Sequence, residues 1–327
     1  MELVEYVTDE NLDAEAYLAA NPDVDDAVPG KSRRHRRDFA RAHFDAHGRF
    51  EARRQYRREA LADIQTRREV KLQRLLERSP AMKRTTSRKK FRFLGERMVL
   101  LHAKSAPELP WPMNQVSANA YDPSLNVWLE DRRSSLLLDL GAGLRTRYAD
   151  NIVNVEVDCL PTTDVLALGD RLPFDDGTFD GAVCLAVLEH VKDPFAVASE
   201  LMRVVRPGAE VVVDWPFLQP VHGYPHHYFN ATPDGAIKAF ERLSTVRAVS
   251  ASTPDHFHPV FAVNWILSEW MNGLPEPRRS AFAQLTVDDI ISTSPHELIR
   301  ESPWVTDLPE AQQRGISAGT RLRITRA

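Results

Sequence analysis

The chain has 327 residues, 43% of them hydrophobic and 27% charged, with a net charge of −4. This length suits a catalytic domain plus a smaller unit, and the composition supports a sizeable core. No apolar run approaches the roughly 18 residues that cross a bilayer, and the acidic start MELVEYVTDENLD has no secretory pattern.

Residues 1–58 form a first unit. Tyr17 and Leu18 are expected to pack on Phe39 and Phe44, and Asn21-Pro22 should end the first helix, because a residue before proline avoids the helical region. The strings LDAEAYLAANPDVDDAV and ARAHFDAHGRFEARRQ place Asp13, Tyr17, Leu18, Asn21, Pro22, Asp23, Val24, His43, Phe44, Gly48, Glu51 and Arg53 in a pattern. This pattern resembles a short helical repeat of bacterial proteins tied to surface polysaccharide and glycosyl transfer. The resemblance implies context rather than chemistry, with residues 1–58 as a packing or docking module for a protein or glycan. Residues 59–78 read as one helix whose partial stripe, Leu61, Ile64, Leu72, Leu75 and Leu76, bridges the two units or packs on a partner. Residues 79–91, SPAMKRTTSRKKF, read as a basic linker. Residues 31–100 carry 23 Lys/Arg against 8 Asp/Glu, an excess that reads as a solvated helix face or could meet nucleic acid, an anionic membrane surface or an acidic partner. Residues 92–133 should be helical in part, with a turn at Asn119, Asp122 and Pro123 before Trp128.

From Ser134 the pattern becomes β-α-β. SSLLLDLGAG, IVNVEVD, TDVLALGD, FDGAVCLAV and AEVVVDWPF are apolar strands. DPFAVASELMRVVRPG is an amphipathic helix with Phe195, Val197, Ala198, Leu201 and Val205 inward, stopped by Pro207-Gly208. Near-continuous apolar strands alternating with helices predict an α/β fold with a doubly wound, mostly parallel sheet, preceded by a small all-α unit. Residues 259–315 should cover the site, with VFAVNWILSEWMNGL as an apolar helix walling a pocket or a dimer contact, and TRLRITR as a closing edge strand. Cys159 and Cys184, in apolar strand-like contexts, read as buried thiols of a reducing compartment, hence a cytoplasmic location.

Ligands in such sheets sit beyond the carboxyl ends of the strands. Gly141 and Gly143 remove side chains where the chain turns and a ligand approaches, and Asp139 stands two residues earlier. Glu156 follows 17 residues later, where a carboxylate can accept from ribose hydroxyls; Asp158 shares its face, so alternation does not choose between them. Five motifs then stand in order: D-L-G-A-G, V-N-V-E-V, G-D-R-L-P-F-D-D-G-T-F-D, L-E-H-V-K-D-P-F and R-V-V-R-P-G. Over residues 117–240 the set resembles the class I S-adenosylmethionine (SAM)-dependent methyltransferases with a Rossmann-like sheet. It is closest to a subgroup near the ubiquinone-type enzymes, whose continuation resembles Pro216 to Tyr228.

The resemblance implies SAM as cofactor. It places Asp139, Gly141 and Gly143 at the methionine part and Glu156, favoured over Asp158, at the ribose. Asp170 would face the adenine amine beside the backbone of Arg171 and Leu172, with Leu188, Glu189 and His190 near the transferred methyl. The chain departs from the common pattern at Leu144-Arg145-Thr146, where a third glycine often stands, and the helix after the loop is short. The domain boundaries that follow are 1–58, a helical module; 59–91, a basic helix and linker; and 92–327, a methyltransferase domain with a C-terminal helical cover.

The segment QPVHGYPHHYFNATPDG follows the fifth strand and offers His222, Tyr224, His226, His227 and Tyr228. A hydroxyl acceptor needs a base, and His222, His227 and His190 are the candidates. Spacing alone predicts no metal site, although Asp214 or Asp255 could assist the histidines; His256 and His258 read as surface residues. The expected acceptor is a small molecule or a saccharide hydroxyl of polysaccharide biosynthesis. The competing readings are an inactive SAM-binding scaffold and a nucleic-acid methyltransferase. The latter has only the basic stretch behind it and lacks an asparagine-proline-proline-aromatic motif.

Overall fold

The computed structural model describes residues 2–30, 32–92, 96–106, 120–223 and 226–317. The C-terminal TRLRITR strand, Asn119 and Tyr224 lie outside the described residues.

The first unit contains β1 (Val4–Tyr6), α1 (Ala14–Ala20), α2 (Pro22–Asp26), α3 (Arg33–His43) and β2 (Arg54–Tyr56). It is not wholly helical, because β1 and β2 pair antiparallel and close it. Asp13 caps α1 by accepting from the Ala16 N–H, and α1 ends at Asn21, before the proline that starts α2. Tyr17, Leu18, Val24, Ala40 and Phe44 form its core, with Phe39 packed against them.

A single helix, α4 (Arg58–Arg78), joins this unit to the rest. Its Ala60 and Ile64 enter a core with Leu3, Tyr56 and Tyr148, whereas Leu72 and Leu75 enter the main core under the sheet. Two charged residues on the same buried face, Arg68 and Lys71, hold the helix to the sheet through the fully buried Asp164. Lys71 Nζ donates to Asp164 Oδ2 at 2.7 Å and to the Ile152 carbonyl at 2.6 Å, and lies 3.6 Å from the centroid of the Tyr148 ring. Burial pushes the Lys71 ammonium down to about 8.

The basic segment after α4 is not a linker. It forms α5 (Met82–Thr85) and β3 (Thr86–Arg92), and β3 pairs antiparallel with β4 (Glu96–His102). The sheet continues with β5 (Leu137–Leu140), β6 (Ile152–Glu156), β7 (Val165–Leu166), β8 (Phe179–Leu185) and β9 (Val205–Asp214), in the order β3-β4-β7-β6-β5-β8-β9. From β4 onward every pairing is parallel. This is the mostly parallel Rossmann-like sheet expected from the apolar strands.

Between β4 and β5 lies α6 (Pro123–Glu130), between β8 and β9 lies α7 (Pro194–Val204), and α8 (Pro233–Glu241) and α9 (Pro259–Gly273) follow. Each of α6, α7 and α8 begins at a cap-proline pair: Asp122-Pro123, Asp193-Pro194 and Thr232-Pro233. Proline at the first helical position sacrifices no hydrogen bond, and the preceding side chain satisfies an orphan N–H. Val197, Ala198, Leu201 and Val204 of α7 join α4 and α8 on one face of the sheet, and Leu125 and Leu129 of α6 cover the other. Phe195 points outward instead, 47% exposed, and Val205 already belongs to β9. Five short helices between Arg278 and Gly315 complete the described chain.

The stretch from β5 to β6 holds no helix. It is only eleven residues long, about the minimum for any parallel crossover. Helix α4, from earlier in the sequence, lies against the sheet there instead, since Leu72 and Leu75 contact the core formed by β5 and β6.

Candidate active site

The carboxyl ends of β5, β6 and β8 lie side by side. Gly141 turns the chain out of β5 at φ +68°, and a Cβ there would stand 2.3 Å from Val187 Cγ2, so only glycine lets the β5 and β8 ends approach. The Gly141 N–H donates to the Val155 carbonyl, which ties the loop to β6.

Asp139 is fully buried on β5. Arg145 grips it with Nε to Oδ2 at 2.8 Å and Nη2 to Oδ1 at 3.1 Å, and the Tyr121 hydroxyl donates to Oδ2 at 2.5 Å. The Arg145 guanidinium lies 4.2 Å from the centroid of the Tyr121 ring. Burial, with the Asp139 charge beside it, holds the Tyr121 phenol well above its usual range. Neither Arg145 nor Tyr121 is marked by sequence reasoning. The only sign was the Leu144-Arg145-Thr146 departure, which placed an arginine where a glycine was expected.

Glu156 at the end of β6 accepts from the Gly143 N–H at 2.9 Å and from the Val157 N–H at 2.7 Å. Burial raises its carboxyl above the usual range, and these backbone donors oppose the shift. Asp158 lies beyond the strand end and accepts from the Cys159 N–H; of the two acids, Glu156 is the one that meets the glycine loop. Asp170, half-buried after β7, meets the neighbouring Arg171 guanidinium at 3.1 Å. The Leu172 N–H donates to Glu200 at 2.7 Å, and the Leu172 and Leu188 side chains belong to the core.

The other half of the site is built on β8. Ala186, with φ +53°, bends the chain out of the strand into a 3-10 turn, Leu188–His190. This turn buries Glu189 completely, and neither of its carboxylate oxygens has a hydrogen-bond partner among the described residues. Burial, aided by the nearby Asp214 charge, pushes its carboxyl up to about 7. The Tyr228 and Phe229 N–H groups donate to the Glu189 carbonyl, at 2.6 and 3.3 Å, which fastens the histidine-rich loop over the turn.

The structure brings His190, His222 and His227 together, with ring centroids 4.4 to 5.4 Å apart. His190 Nδ1 donates to the His226 carbonyl at 2.9 Å and His222 Nδ1 to the Pro220 carbonyl at 2.8 Å. Both rings therefore carry their proton on Nδ1 and present a bare Nε2. His227 differs: its Nδ1 accepts from the His222 N–H at 3.1 Å and its Nε2 donates to Asn230 Oδ1 at 2.7 Å. That leaves His190 and His222 as the bases with a free lone pair. Burial lowers both below the ordinary imidazole range, which keeps them neutral.

A groove of about 1560 Å³ runs along β9 between α6, α8 and α9. It is lined by Asp214, Trp215, His256, Phe261 and Trp265 and does not include the glycine loop. Trp265 packs on His222 at 4.9 Å, so the groove adjoins the histidine cluster. His256 is exposed, as expected, and also pairs with Asp214 at 2.8 Å. No sequence signal joined the two residues, which lie on separate segments.

Residues 126–213 match the family model described as "Methyltransferase domain". By that match this segment is a methyltransferase domain. Among curated proteins, the chain is 32% identical over 112 residues to an uncharacterized methyltransferase of Mycobacterium tuberculosis (strain ATCC 25618 / H37Rv), covering 29% of this chain and 46% of that protein. It is 41% identical over 61 residues to an uncharacterized methyltransferase of Mycobacterium sp. (strain KMS), covering 18% of this chain and 24% of the relative. The chain thus spans less than half the length of these relatives. Among solved structures, it matches a SAM-dependent methyltransferase, described as a possible histamine N-methyltransferase, from Thermotoga maritima. That match has 18% identity and a TM-score of 0.27, and covers 33% of this chain and 62% of the other. The [4+2]-cyclase SpnF matches at 17% identity and a TM-score of 0.28, covering 36% of this chain and 54% of the cyclase.

A methyltransferase domain implies SAM as its cofactor, and the residues present fit it. SAM carries a zwitterionic methionine end, a ribose diol and an adenine amine. Asp139 and Arg145 are opposite charges at the glycine loop, suited to the ammonium and the carboxylate. Glu156 is an acceptor at the next strand end, and Asp170 has a half-buried carboxylate beyond the third. An ammonium at Asp139 would share the carboxylate with Arg145 and Tyr121.

Proposed function

We propose that the chain is a SAM-dependent methyltransferase acting on a hydroxyl of a saccharide or other small acceptor. One observation carries the reading: Asp139, Glu156 and Asp170 at three strand ends lie on the same rim as Glu189, His190 and His222. SAM supplies an electrophilic methyl on a sulfonium, so the chain's own task is to align an acceptor and manage one proton. Asp139, Arg145, Glu156 and Asp170 would hold the cofactor's polar ends. Val187 and the Gly141 turn would bring it close to β8. The bare Nε2 of His190 or His222 would take the hydroxyl proton. The aromatic groove beside Trp265 would seat the acceptor's body, and the N-terminal repeat supports a saccharide as the acceptor class. A cytoplasmic site of action is part of this reading and rests on the apolar strand settings of Cys159 and Cys184.

The test is transfer of a radiolabelled methyl group from SAM to free and lipid-linked oligosaccharides, with RNA as the comparison. Label in the saccharide, lost in His190→Ala/His222→Ala, is the expected result. Label in RNA or in no acceptor would overturn the acceptor class. A second reading, a domain that does not turn over, has one observation behind it: Asp139 is buried and already accepts from both Arg145 and Tyr121. Absence of cofactor binding would favour that reading.

A further inference from the structure

The histidine-bearing rim holds more than a base. Glu189, His190 and His222 each offer one ligand atom, and these atoms lie within 4.8 Å of one another. His190 Nε2 stands 3.8 Å from Glu189 Oε1. We propose that Glu189, His190 and His222 form a binding site for one divalent cation of the zinc class.

Three independent features support this assignment. First, Glu189 is wholly buried with both oxygens lacking a hydrogen-bond partner among the described residues. Burying a carboxyl without a partner costs stability unless something else occupies its lone pairs. A cation facing two bare imidazole nitrogens does that.

Second, the tautomers are those of metal ligands. A metal-binding histidine commonly donates its other ring N–H to a carbonyl or carboxylate, which fixes the ring and leaves one lone pair for the ion. His190 and His222 both do this, to the carbonyls of His226 and Pro220. The third ring, His227, has both nitrogens engaged, and it anchors the His222 backbone instead. The loop thus contains two ligands and one support, a division not visible from the spacing of its histidines.

Third, the backbone is shaped around the ring that must move least. Gly223 has φ +80°, and a Cβ there would lie 2.4 Å from His190 Cε1. Any other residue would push His190 out of the cluster.

Two imidazoles and one carboxylate suit a borderline ion such as zinc, which takes N and O ligands at roughly 2.0–2.2 Å. Closing the trio onto such an ion needs movements of about 1 Å, within reach of side-chain rotation. Three protein ligands leave at least one position open. Resting on the methyl-transfer reading, that position would take the acceptor oxygen and hold it toward the methyl; with the Nε2 atoms of His190 and His222 on the ion, the hydroxyl proton would pass to water in place of either histidine.

The experiment uses the full chain, dialysed against a chelator and then titrated with cobalt(II) chloride, with zinc chloride as competitor. Uptake is read as a visible absorption band and as metal content per chain. The proposal expects one ion per chain, displaced by zinc. Affinity should be at least tenfold weaker in Glu189→Gln, His222→Ala and Gly223→Ala, and unchanged in His258→Ala, a histidine of an exposed loop. Circular dichroism shows that each variant is folded. Calorimetry with S-adenosylhomocysteine reports the cofactor side separately. No uptake by the folded wild type, or equal uptake by Glu189→Gln and His222→Ala, overturns the site. Ion uptake without S-adenosylhomocysteine binding supports the site and removes only the methyl-transfer role.

Discussion

Arg145 is the residue whose removal should cost most at the cofactor rim, because it neutralises a carboxylate with no access to water. Arg145→Leu leaves Asp139 with the Tyr121 hydroxyl alone. The expected loss is about 3–5 kcal/mol, the usual penalty for orphaning one half of a buried ion pair. Arg145→Lys should lose less, since one ammonium replaces a two-pronged contact. Urea unfolding at pH 7 measures both, and equal stability of Arg145→Leu and wild type would mean that Asp139 is not buried against it. Glu189 gives a prediction with a sign. Burial pushes its folded carboxyl up to about 7, against an ordinary 4.5, so the folded state holds the proton to higher pH than the unfolded one. Its contribution is therefore complete below about pH 4.5 and is lost as pH rises through 7. In chelator, Glu189→Gln should gain on the wild type across that window by up to about 3 kcal/mol. A difference independent of pH would contradict a buried, raised carboxyl.

At the scale of elements, α4 is a wall of the catalytic domain as well as a connector. Asp164→Asn leaves Lys71 and Arg68 buried without their counter-charge, and a loss of about 3–5 kcal/mol is expected in the same unfolding assay. Residues 92–327 expressed alone should fail to fold, because they lack both α4 and the β3 partner of β4; a soluble, cooperative fragment would contradict this. The helix itself was legible from Ile64, Leu72 and Leu75. Its buried charges were not, because Arg68 and Lys71 on a helix ordinarily read as solvent-facing, and Asp164 lies far away in sequence. Strand β3 was hidden for a related reason. Its residues are basic and polar, as suits an exposed edge that must not pair with other chains, and such a strand lacks the apolar alternation that marks one. The strands around the cofactor rim were legible because they are buried on both faces and so read as continuous apolar runs. The missing helix after β5 was only half legible: the loop's departure was visible, but its replacement by α4 depends on tertiary packing.

Over the whole molecule, the charge asymmetry loses much of its force once partners are seen. Arg36, Arg41, Arg49, Arg53, Arg58 and Arg67 of the basic stretch each meet an Asp or Glu within 4.0 Å. These pairs are exposed and contribute little stability, but they neutralise the field that would attract a polyanion. Fluorescence anisotropy with RNA should show weak binding and a shallow salt dependence; a steep slope would restore a nucleic-acid acceptor. The motif order from Asp139 to Glu189 made the cofactor class legible in the sequence. The acceptor side was legible only as a concentration of histidines, because their tautomers depend on backbone carbonyls that no spacing rule locates.

The most direct test of the account is calorimetric titration of S-adenosylhomocysteine into the full chain, beside Glu156→Ala. Micromolar binding to the wild type, weakened at least tenfold, about 1.4 kcal/mol, by the substitution, is the predicted result. No binding to a folded wild type, or equal binding to Glu156→Ala, would contradict a cofactor held at the ends of β5 and β6.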